Sequence, residues 1–283
     1  MGRVTVRRPV VRVRGGRVDR RVDTLVAEEP LEIRLGGRAL AITMRTPGDD
    51  FALAAGFLVS EGVVAGGGEL AGITYCAGAV DGAEGGNTYN IVDVRLAAGV
   101  AVPDVSLERN VYTTSSCGLC GKASLDAVRT TARWPLADGG MRLTPETLAA
   151  LPDRLRAGQR VFDRTGGLHA AALFTSDGDL IDLREDVGRH NAVDKLVGRA
   201  LQQDRLPLSG TVLMVSGRAS FELAQKAAMA GIPVLAAVSA PSSLAVDLAA
   251  ETGMTLVGFL RGDTMNVYAG EHRIAPHRTV AGV

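Results

Sequence analysis

Apolar and polar residues alternate with a period of two in the first third of the chain. The alternation covers residues 31–35 and 40–44, on either side of Gly36-Gly37. It predicts two antiparallel strands joined by a glycine turn. Apolar residues at helical spacing predict a helix over residues 51–58, and two further strands are predicted over residues 74–77 and 89–96. Together these elements predict a small α+β unit with a β-grasp-like arrangement.

Apolar runs of buried-strand length alternate with amphipathic helical patterns from residue 166 onwards. Thr144-Pro145-Glu146 comes earlier and has the cap, proline and acidic residue that begin a helix, here predicted to end near residue 157. The later strands are predicted over residues 170–174, 180–182, 211–215, 234–238, 255–260 and 265–268, and the helices over 187–201, 221–230 and 244–252. This alternation is typical of a mainly parallel sheet with helices on both faces.

These patterns predict three regions: an arginine-rich arm over residues 1–22, a small α+β domain over 23–109 and a larger α/β domain over 110–283. The simpler interpretation of the arm is a solvated and partly disordered segment. The sharper alternative is a docking arm for an acidic partner. Its basic residues are Arg3, Arg7, Arg8, Arg12, Arg14, Arg17, Arg20 and Arg21.

Composition excludes several classes of function. The chain of 283 residues has a formal net charge of zero, which gives no bulk electrostatic case for nucleic acid or a membrane surface. Arg7-Arg8 is not followed by the apolar segment of about 7–15 residues that an export signal needs. No apolar run approaches the roughly 18 residues of a membrane span. Three cysteines do not resemble a disulfide framework, so we expect a cytoplasmic protein.

Two of these cysteines form the motif around which the candidate chemistry is organised. Cys117 and Cys120 lie three residues apart, between glycines and hydroxyl side chains, and a helix-like run follows over residues 123–133. A helix N-terminus and the neighbouring Lys122 favour thiolate over thiol. The stretch therefore predicts one or two activated cysteines on a glycine-hinged loop. Cys76 is predicted to be a buried structural thiol on a strand.

A lone CxxC motif is compatible with zinc binding, dithiol redox chemistry or sulfur transfer. Structural zinc normally needs four ligands, and a set completed by His169 and His190 has no usual spacing. A zinc deaminase would place an HxE motif upstream, but no histidine precedes Cys117. The surrounding pattern is not thioredoxin-like. We therefore expect no structural metal, although the three alternatives stay open on the residues alone.

Small hydroxyl residues and arginines follow the predicted parallel strands. Ser216 and Arg218 follow the strand at 211–215, and Ser242 follows the strand at 234–238. Ligands of open α/β sheets bind at the carboxyl ends of the strands, where helix N-termini suit phosphate. The simpler interpretation is ordinary N-capping by serine. Two such loops together with Arg218 and Arg261 favour a phosphorylated ligand.

The charged run over residues 184–195 contains a second set of candidates. Asp186 is predicted to cap the following helix, and Asp194 and Lys195 are expected to be solvated. His190 is interpreted as a hydrogen-bonded structural residue, with a catalytic base as the alternative. His169 occupies a similar position, where a glycine loop enters a strand.

Several long sequence blocks follow one another along the chain. They include Met44-Arg45-Thr46-Pro47-Gly48-Asp49-Asp50, Ser115-Ser116-Cys117-Gly118-Leu119-Cys120-Gly121-Lys122, Thr165-Gly166-Gly167-Leu168-His169-Ala170-Ala171 and Val215-Ser216-Gly217-Arg218-Ala219-Ser220-Phe221-Glu222. The run at 184–195 and Ala240-Pro241-Ser242-Ser243-Leu244-Ala245 belong to the same set. In this order, the blocks resemble the FdhD family, the formate dehydrogenase accessory sulfurtransferases. The resemblance covers about residues 28–268, and the arginine-rich arm lies outside it.

The resemblance implies that the chain takes sulfur from a cysteine desulfurase persulfide. It would pass that sulfur to the molybdenum of the bis(molybdopterin guanine dinucleotide) cofactor, for formate dehydrogenase. The persulfide residue would be Cys117 with Cys120 as its partner, and GDP would mimic the cofactor. The implied cofactor-binding run is Phe259, Leu260, Arg261, Gly262, Asp263 and Thr264.

The resemblance also implies a homodimer and a larger domain with a three-layer α-β-α, cytidine-deaminase-like fold that lacks the deaminase metal chemistry. Two alternatives remain beside the sulfur carrier. One is a cofactor chaperone that does not handle sulfur, and the other is a zinc-stabilised structural module.

Overall fold

The computed structural model describes residues 3–76, 89–101, 128, 132–136 and 140–275. Strands of the described residues form three sheets, with two, four and six strands. Most of the predicted helix-like run at 123–133 lies outside these residues, so it stays a prediction.

The arginine-rich region forms a β-hairpin. Strand β1 (Thr5–Arg14) pairs antiparallel with β2 (Arg17–Val26) over ten residue pairs. Gly15 and Gly16 connect them with φ angles of 56° and 78°, which are favourable for glycine in a two-residue hairpin turn. The expectation of a partly disordered arm is therefore wrong, because alternation and a Gly-Gly turn outweigh the high charge. The predicted boundary at 22/23 falls inside β2.

The second sheet belongs to the small unit. It contains β3 (Glu29–Leu35), β4 (Arg38–Arg45), β5 (Leu70–Tyr75) and β6 (Ile91–Leu96), in the order β4-β3-β6-β5. The predicted hairpin is confirmed, with Gly36-Gly37 at its turn, and helix α1 (Asp50–Ser60) follows it. This unit is α+β as predicted, and its β-grasp-like arrangement stays a prediction.

The third sheet has a parallel centre and antiparallel flanks. Its strands are β7 (His169–Phe174), β8 (Leu180–Asp186), β9 (Val212–Val215), β10 (Val234–Ala237), β11 (Thr255–Arg261) and β12 (Thr264–Ala269). They follow the order β12-β11-β10-β9-β7-β8, with β9, β10 and β11 parallel. The other three neighbouring pairs are antiparallel, so the prediction of a mainly parallel sheet is wrong. Short turns join β7 to β8 and β11 to β12, and such connections produce antiparallel pairs.

Helices cover both faces of this sheet. Helix α2 packs on one face, where its leucines meet Ala170, Ala172 and Phe174 of β7. Ala171 and Leu173 of the same strand point into a larger core on the opposite face. A three-layer α/β arrangement is thus present, and its likeness to cytidine deaminases stays a prediction. The remaining helices are α2 (Pro145–Gly158), α3 (Phe162–Thr165), α4 (Arg189–Gln202), α5 (Phe221–Met229) and α6 (Ser243–Thr252).

The small unit and the large sheet share one hydrophobic core. Residues such as Leu31 and Leu53 belong to the same buried cluster as Leu213 and Leu235. Helices α1 and α4 pack closely, because a Cβ at Gly56 would overlap the Asp194 carbonyl and one at Gly198 would overlap that of Ala52. The predicted division at 109/110 therefore does not separate two cores.

Candidate functional site

The loops that follow β9 and β10 lie side by side at the carboxyl edge of the parallel strands. The amide of Ala219 donates to the Ala240 carbonyl at 3.2 Å, and the Ser242 amide donates to the Ala219 carbonyl at 3.0 Å. The amide of Phe259, near the end of β11, donates to the Ser239 carbonyl at 3.2 Å. The structure thus brings the predicted loops and the 259–264 run to one edge.

The serine hydroxyls of these loops stabilise the loops themselves. The Ser216 hydroxyl accepts a hydrogen bond from the Ala170 amide at 2.9 Å. The Ser242 hydroxyl caps α6 by accepting from the Ala245 amide at 3.3 Å. The simpler interpretation of N-capping is therefore correct for Ser242. Ser220 occupies the N-cap position of α5, but its hydroxyl donates to Glu222 at 3.3 Å instead.

Residues 259–264 form a tight turn beyond the edge of the sheet. Phe259 is 41% exposed and has a φ of 52°, an uncommon conformation for a bulky residue that is often found at functional sites. The Thr264 hydroxyl donates to the Arg261 carbonyl at 3.0 Å and closes the turn. The Arg261 Nε donates to the Val238 carbonyl at 3.2 Å, which holds this side chain against the end of β10. Leu260 is buried, whereas Gly262, Asp263 and Thr264 are exposed.

A cleft of about 590 Å³ opens at this edge, within the ~300–1,000 Å³ range usual for small-molecule sites. Its walls are α2, α3 and the glycine loop at 166–167. His169, Ser216 and Val238 also line it. Since Arg261 bonds to the Val238 carbonyl, the cleft borders on the 259–264 turn. Arg218 is exposed on the neighbouring loop.

His169 is the histidine that lines the cleft. Burial lowers its pKa, and the positive charges of Arg189 and His190 lower it further. The imidazole is thus neutral near pH 7, and one ring nitrogen can accept a hydrogen bond. Gly217 lies beside it, since a Cβ there would be 3.4 Å from Nδ1.

His190 has two oxygen partners at a single nitrogen. Its Nε2 lies 2.8 Å from the Glu222 carboxylate and 3.4 Å from the Ser220 hydroxyl. This hydrogen bond lowers the pKa of Glu222. A nucleophilic triad needs the acid on Nδ1 and the hydroxyl on Nε2. The arrangement is therefore a hydrogen-bonded cluster, which agrees with the structural interpretation of His190.

Arg189 is a candidate that the sequence interpretation missed. It is the first residue of α4, and its charge lowers the pKa of both His169 and Glu222. Its Nε is buried and has no hydrogen-bond partner among the described residues. A guanidinium at this edge is suited to an anionic group. The sequence feature that could have identified Arg189 is its position next to His190, near the start of a predicted helix.

Two residues expected to be solvated are buried instead. Lys195 donates to the Asp186 carboxylate at 2.7 Å and to the Thr46 carbonyl at 2.9 Å. Asp186 also accepts from the Gly188 amide at 2.8 Å. Gly188 itself is the N-cap residue of α4, so the predicted capping role of Asp186 is wrong. Asp194 accepts from Lys226 at 2.7 Å and lies inside the core. These contacts connect the small unit to α4, so this charged motif serves the fold.

Another charged pair lies within the small unit. Arg45 is fully buried and donates to both Asp50 carboxylate oxygens, at 3.0 and 2.9 Å. The Tyr75 hydroxyl also donates to Asp50, and burial together with this carboxylate raises the pKa of Tyr75 to about 12. Cys76, directly after β5, is half-buried rather than fully buried.

Cys117 and Cys120 lie outside the described residues, so their predicted roles stay predictions. Within the described ranges, no cluster of three or more His, Cys, Asp or Glu side chains is arranged to hold a metal ion. Among the helices of the same ranges, none combines the length and apolarity that crossing a bilayer requires.

Comparisons with known proteins agree with the resemblance noted from the motifs. A family model described as the FdhD/NarQ family matches residues 26–275. The chain is 79% identical to the sulfur carrier protein FdhD of Streptomyces avermitilis, over 97% of each chain. It is 60% identical to that of Mycolicibacterium paratuberculosis, over 96% of this chain and 99% of the relative. A crystal structure from Desulfotalea psychrophila, assigned as a formate dehydrogenase accessory protein, is similar with a TM-score of 0.74 and 25% identity, covering 96% of this chain and 100% of the other.

Proposed function

Because the chain belongs to the FdhD/NarQ family, we propose that it is a sulfur carrier that serves formate dehydrogenase. The observation that carries this proposal is the match over residues 26–275, which includes Cys117 and Cys120. Close relatives over nearly the full length are named sulfur carriers, which supports the same role. The relatives' names do not state the sulfur donor or the acceptor, so the two transfer steps described next are part of the proposal.

In the first step, Cys117 receives sulfur from a cysteine desulfurase. The Cys117 thiolate attacks the outer sulfur of the desulfurase persulfide and forms a new S–S bond. The old S–S bond breaks, and the desulfurase cysteine leaves as a thiolate. The sulfane sulfur is now carried on Cys117.

In the second step, the sulfur passes to the molybdenum of the bis(molybdopterin guanine dinucleotide) substrate. Delivery as sulfide requires two electrons, which Cys120 can supply. Its thiolate attacks the Sγ atom of Cys117, a Cys117–Cys120 disulfide forms, and hydrosulfide leaves toward the metal. A cellular dithiol then reduces the disulfide for the next cycle.

The cleft and the edge beside it are the proposed binding surface for the cofactor. The pyrophosphates of the cofactor are anionic, and Arg189, Arg218 and Arg261 belong to this edge. The N-terminus of α5 adds amide groups and a favourable dipole. Neutral His169 lines the cleft and can orient a polar group by a hydrogen bond. The homodimer and the cytidine-deaminase-like fold remain predictions from the family resemblance, and the cytoplasmic location remains a prediction from the cysteine content.

Mass spectrometry after incubation with a cysteine desulfurase and cysteine tests the proposal. The wild-type chain should gain one sulfur atom on Cys117, and Cys117→Ala should gain none while GDP still binds. Cys120→Ala should be loaded with sulfur but should not release it as sulfide. The half-buried thiol of Cys76 provides the matched control, since Cys76→Ala should load like the wild type.

The same measurements separate the alternatives. A wild-type chain that binds GDP but never gains sulfur is a cofactor chaperone, and the sulfur-carrier proposal would then be wrong. Stoichiometric zinc in the purified protein, with unfolding on chelation, would instead indicate a structural metal module.

A further inference from the structure

The β1–β2 hairpin extends from the rim of the candidate cleft. At its base, the Ala27 amide donates to the Val4 carbonyl at 2.9 Å. Val26 lies against the glycine loop of the cleft, because a Cβ at Gly167 would be 3.2 Å from Val26 Cγ1. Every residue from Val11 to Val22 is exposed. The hairpin therefore has its base at the cleft and its tip in solvent.

One face of the hairpin, the apolar face, carries its exposed valines together with Arg7 and Arg20, and the other, the basic face, carries five arginines together with Asp19 and Asp23. Directly paired residues share a face of an antiparallel ribbon, and successive pairs alternate between faces. The pairs Val13–Val18 and Pro9–Val22 lie on the same face, and Val13 and Val18 are 68% and 67% exposed. Five of the arginines share the opposite face: Arg8, Arg12, Arg14, Arg17 and Arg21.

The charge of the hairpin differs from that of the rest of the chain. Residues 3–26 contain eight arginines and two aspartates, a net charge of +6. The whole chain has a net charge of zero, so the remaining residues carry −6. Exposed apolar side chains beside concentrated charge are a feature of docking surfaces. A complementary surface would have an apolar strip bordered by carboxylates.

We propose that the β1–β2 hairpin is a docking arm for the dehydrogenase that receives the cofactor, and this inference rests on the proposed function. The position of its base favours the cofactor acceptor, because a protein held by the hairpin is placed at the cleft. The family match begins at residue 26, where the hairpin ends. The hairpin thus adds a recognition surface to the part of the chain that the family model describes.

Substitutions at the hairpin tip test this assignment without disturbing the core. Val13→Asp/Val18→Asp disrupts the apolar face, and Arg14→Glu/Arg17→Glu reverses charge on the basic face. All four side chains are exposed, so the melting temperature should stay unchanged. The matched control is Arg199→Glu/Arg205→Glu, which reverses two exposed arginines near the opposite edge of the large sheet.

The measurement is the affinity of each full-length variant for purified formate dehydrogenase that lacks its cofactor. We expect each hairpin variant to bind at least tenfold more weakly than the wild type, and the control to bind normally. The arginine variant should also lose most of the salt dependence of the wild-type affinity. Sulfur loading of Cys117 and GDP binding should not change in either hairpin variant.

Several results would overturn the docking assignment. The assignment is wrong if the hairpin variants bind the dehydrogenase as tightly as the wild type does, or if the wild type does not bind it. It is also wrong if the hairpin substitutions weaken only the binding of the desulfurase. Saturable binding of a 30-base-pair DNA duplex that only the hairpin variants lose would show a nucleic-acid arm instead. Failure of the sulfur-carrier proposal is separate, since it appears as a wild-type chain that gains no sulfur.

Discussion

Buried and exposed charged residues in this chain come from similar motifs but have opposite surroundings. Asp186 and Lys195 are paired inside the protein, with exposed side-chain fractions of 0% and 2%. Arg218 and Arg261 also follow predicted strands, yet both are exposed at the sheet edge. The buried pair costs desolvation energy and is compensated by hydrogen bonds, whereas the exposed arginines are available to a ligand. Charge density in a motif therefore does not by itself identify a binding site.

The largest effect should come from breaking the buried pair. Lys195→Met leaves the Asp186 carboxylate buried without its ammonium partner, and we expect the free energy of unfolding to fall by about 3–5 kcal/mol. Urea unfolding measures this difference. The double variant Asp186→Leu/Lys195→Met should lose less than the sum of the two single changes. A loss below about 1 kcal/mol for Lys195→Met would contradict the role assigned to this pair.

The contact between α1 and α4 should be the next most sensitive feature. Gly198→Ala places a methyl group against the Ala52 carbonyl, and we expect a loss of about 1–3 kcal/mol in the free energy of unfolding. Gly68→Ala is the matched control, because no atom lies within 4 Å of its added Cβ. Thermal melting distinguishes them. Equal melting temperatures for the two variants would show that the helices separate easily.

The exposed arginines should affect ligand binding and leave stability unchanged. Arg261→Ala should weaken GDP binding about tenfold, the effect of losing one charge-assisted hydrogen bond. Its free energy of unfolding should change by less than about 0.5 kcal/mol. Calorimetric titration with GDP measures the affinity, with Arg205→Ala as an exposed control. Unchanged GDP affinity would remove this residue from the proposed cofactor surface.

The smallest effect concerns pH. Because the pKa of His169 is lowered in the folded protein, the unfolded chain binds this proton more readily. Folding stability therefore falls as pH drops through the ordinary histidine range near 6.5. His169→Gln should lose less stability than the wild type between pH 7 and pH 5.5.

Melting curves at the two pH values test this. Glu69→Gln is the control, because this carboxylate has a lowered pKa and its ion-pair partner is Arg133, so it stays ionised over the whole interval. Its difference from the wild type should be the same at both pH values. If the change in stability between the two pH values is the same for His169→Gln and the wild type, burial of this imidazole does not affect its protonation.

The positions of strands and helices in the described residues were largely predictable from local pattern. Period-two alternation and the Gly36-Gly37 turn indicate β3 and β4 correctly, and Thr144-Pro145-Glu146 marks the start of α2. The relative direction of neighbouring strands was harder to predict, because a buried apolar run is equally compatible with a parallel or an antiparallel neighbour. Only the short turn after β7 indicates the direction of β8.

The candidate site was predictable in part because it lies at the ends of strands that local pattern predicts. Strands of one direction place Ser216, Ser242 and the 259–264 turn at one edge, and the structure confirms this proximity. The burial of Lys195 and Asp194 depends on partners more than 30 residues away or in the small unit, such as Thr46 and Lys226. Local sequence contains no signal for such contacts.

The close approach of α1 and α4 has a consequence for motion. With glycine at both Gly56 and Gly198, the two helix backbones touch directly at these positions, which opposes the sliding of one helix past the other. We therefore expect the small unit and the large sheet to move together rather than to rock against each other.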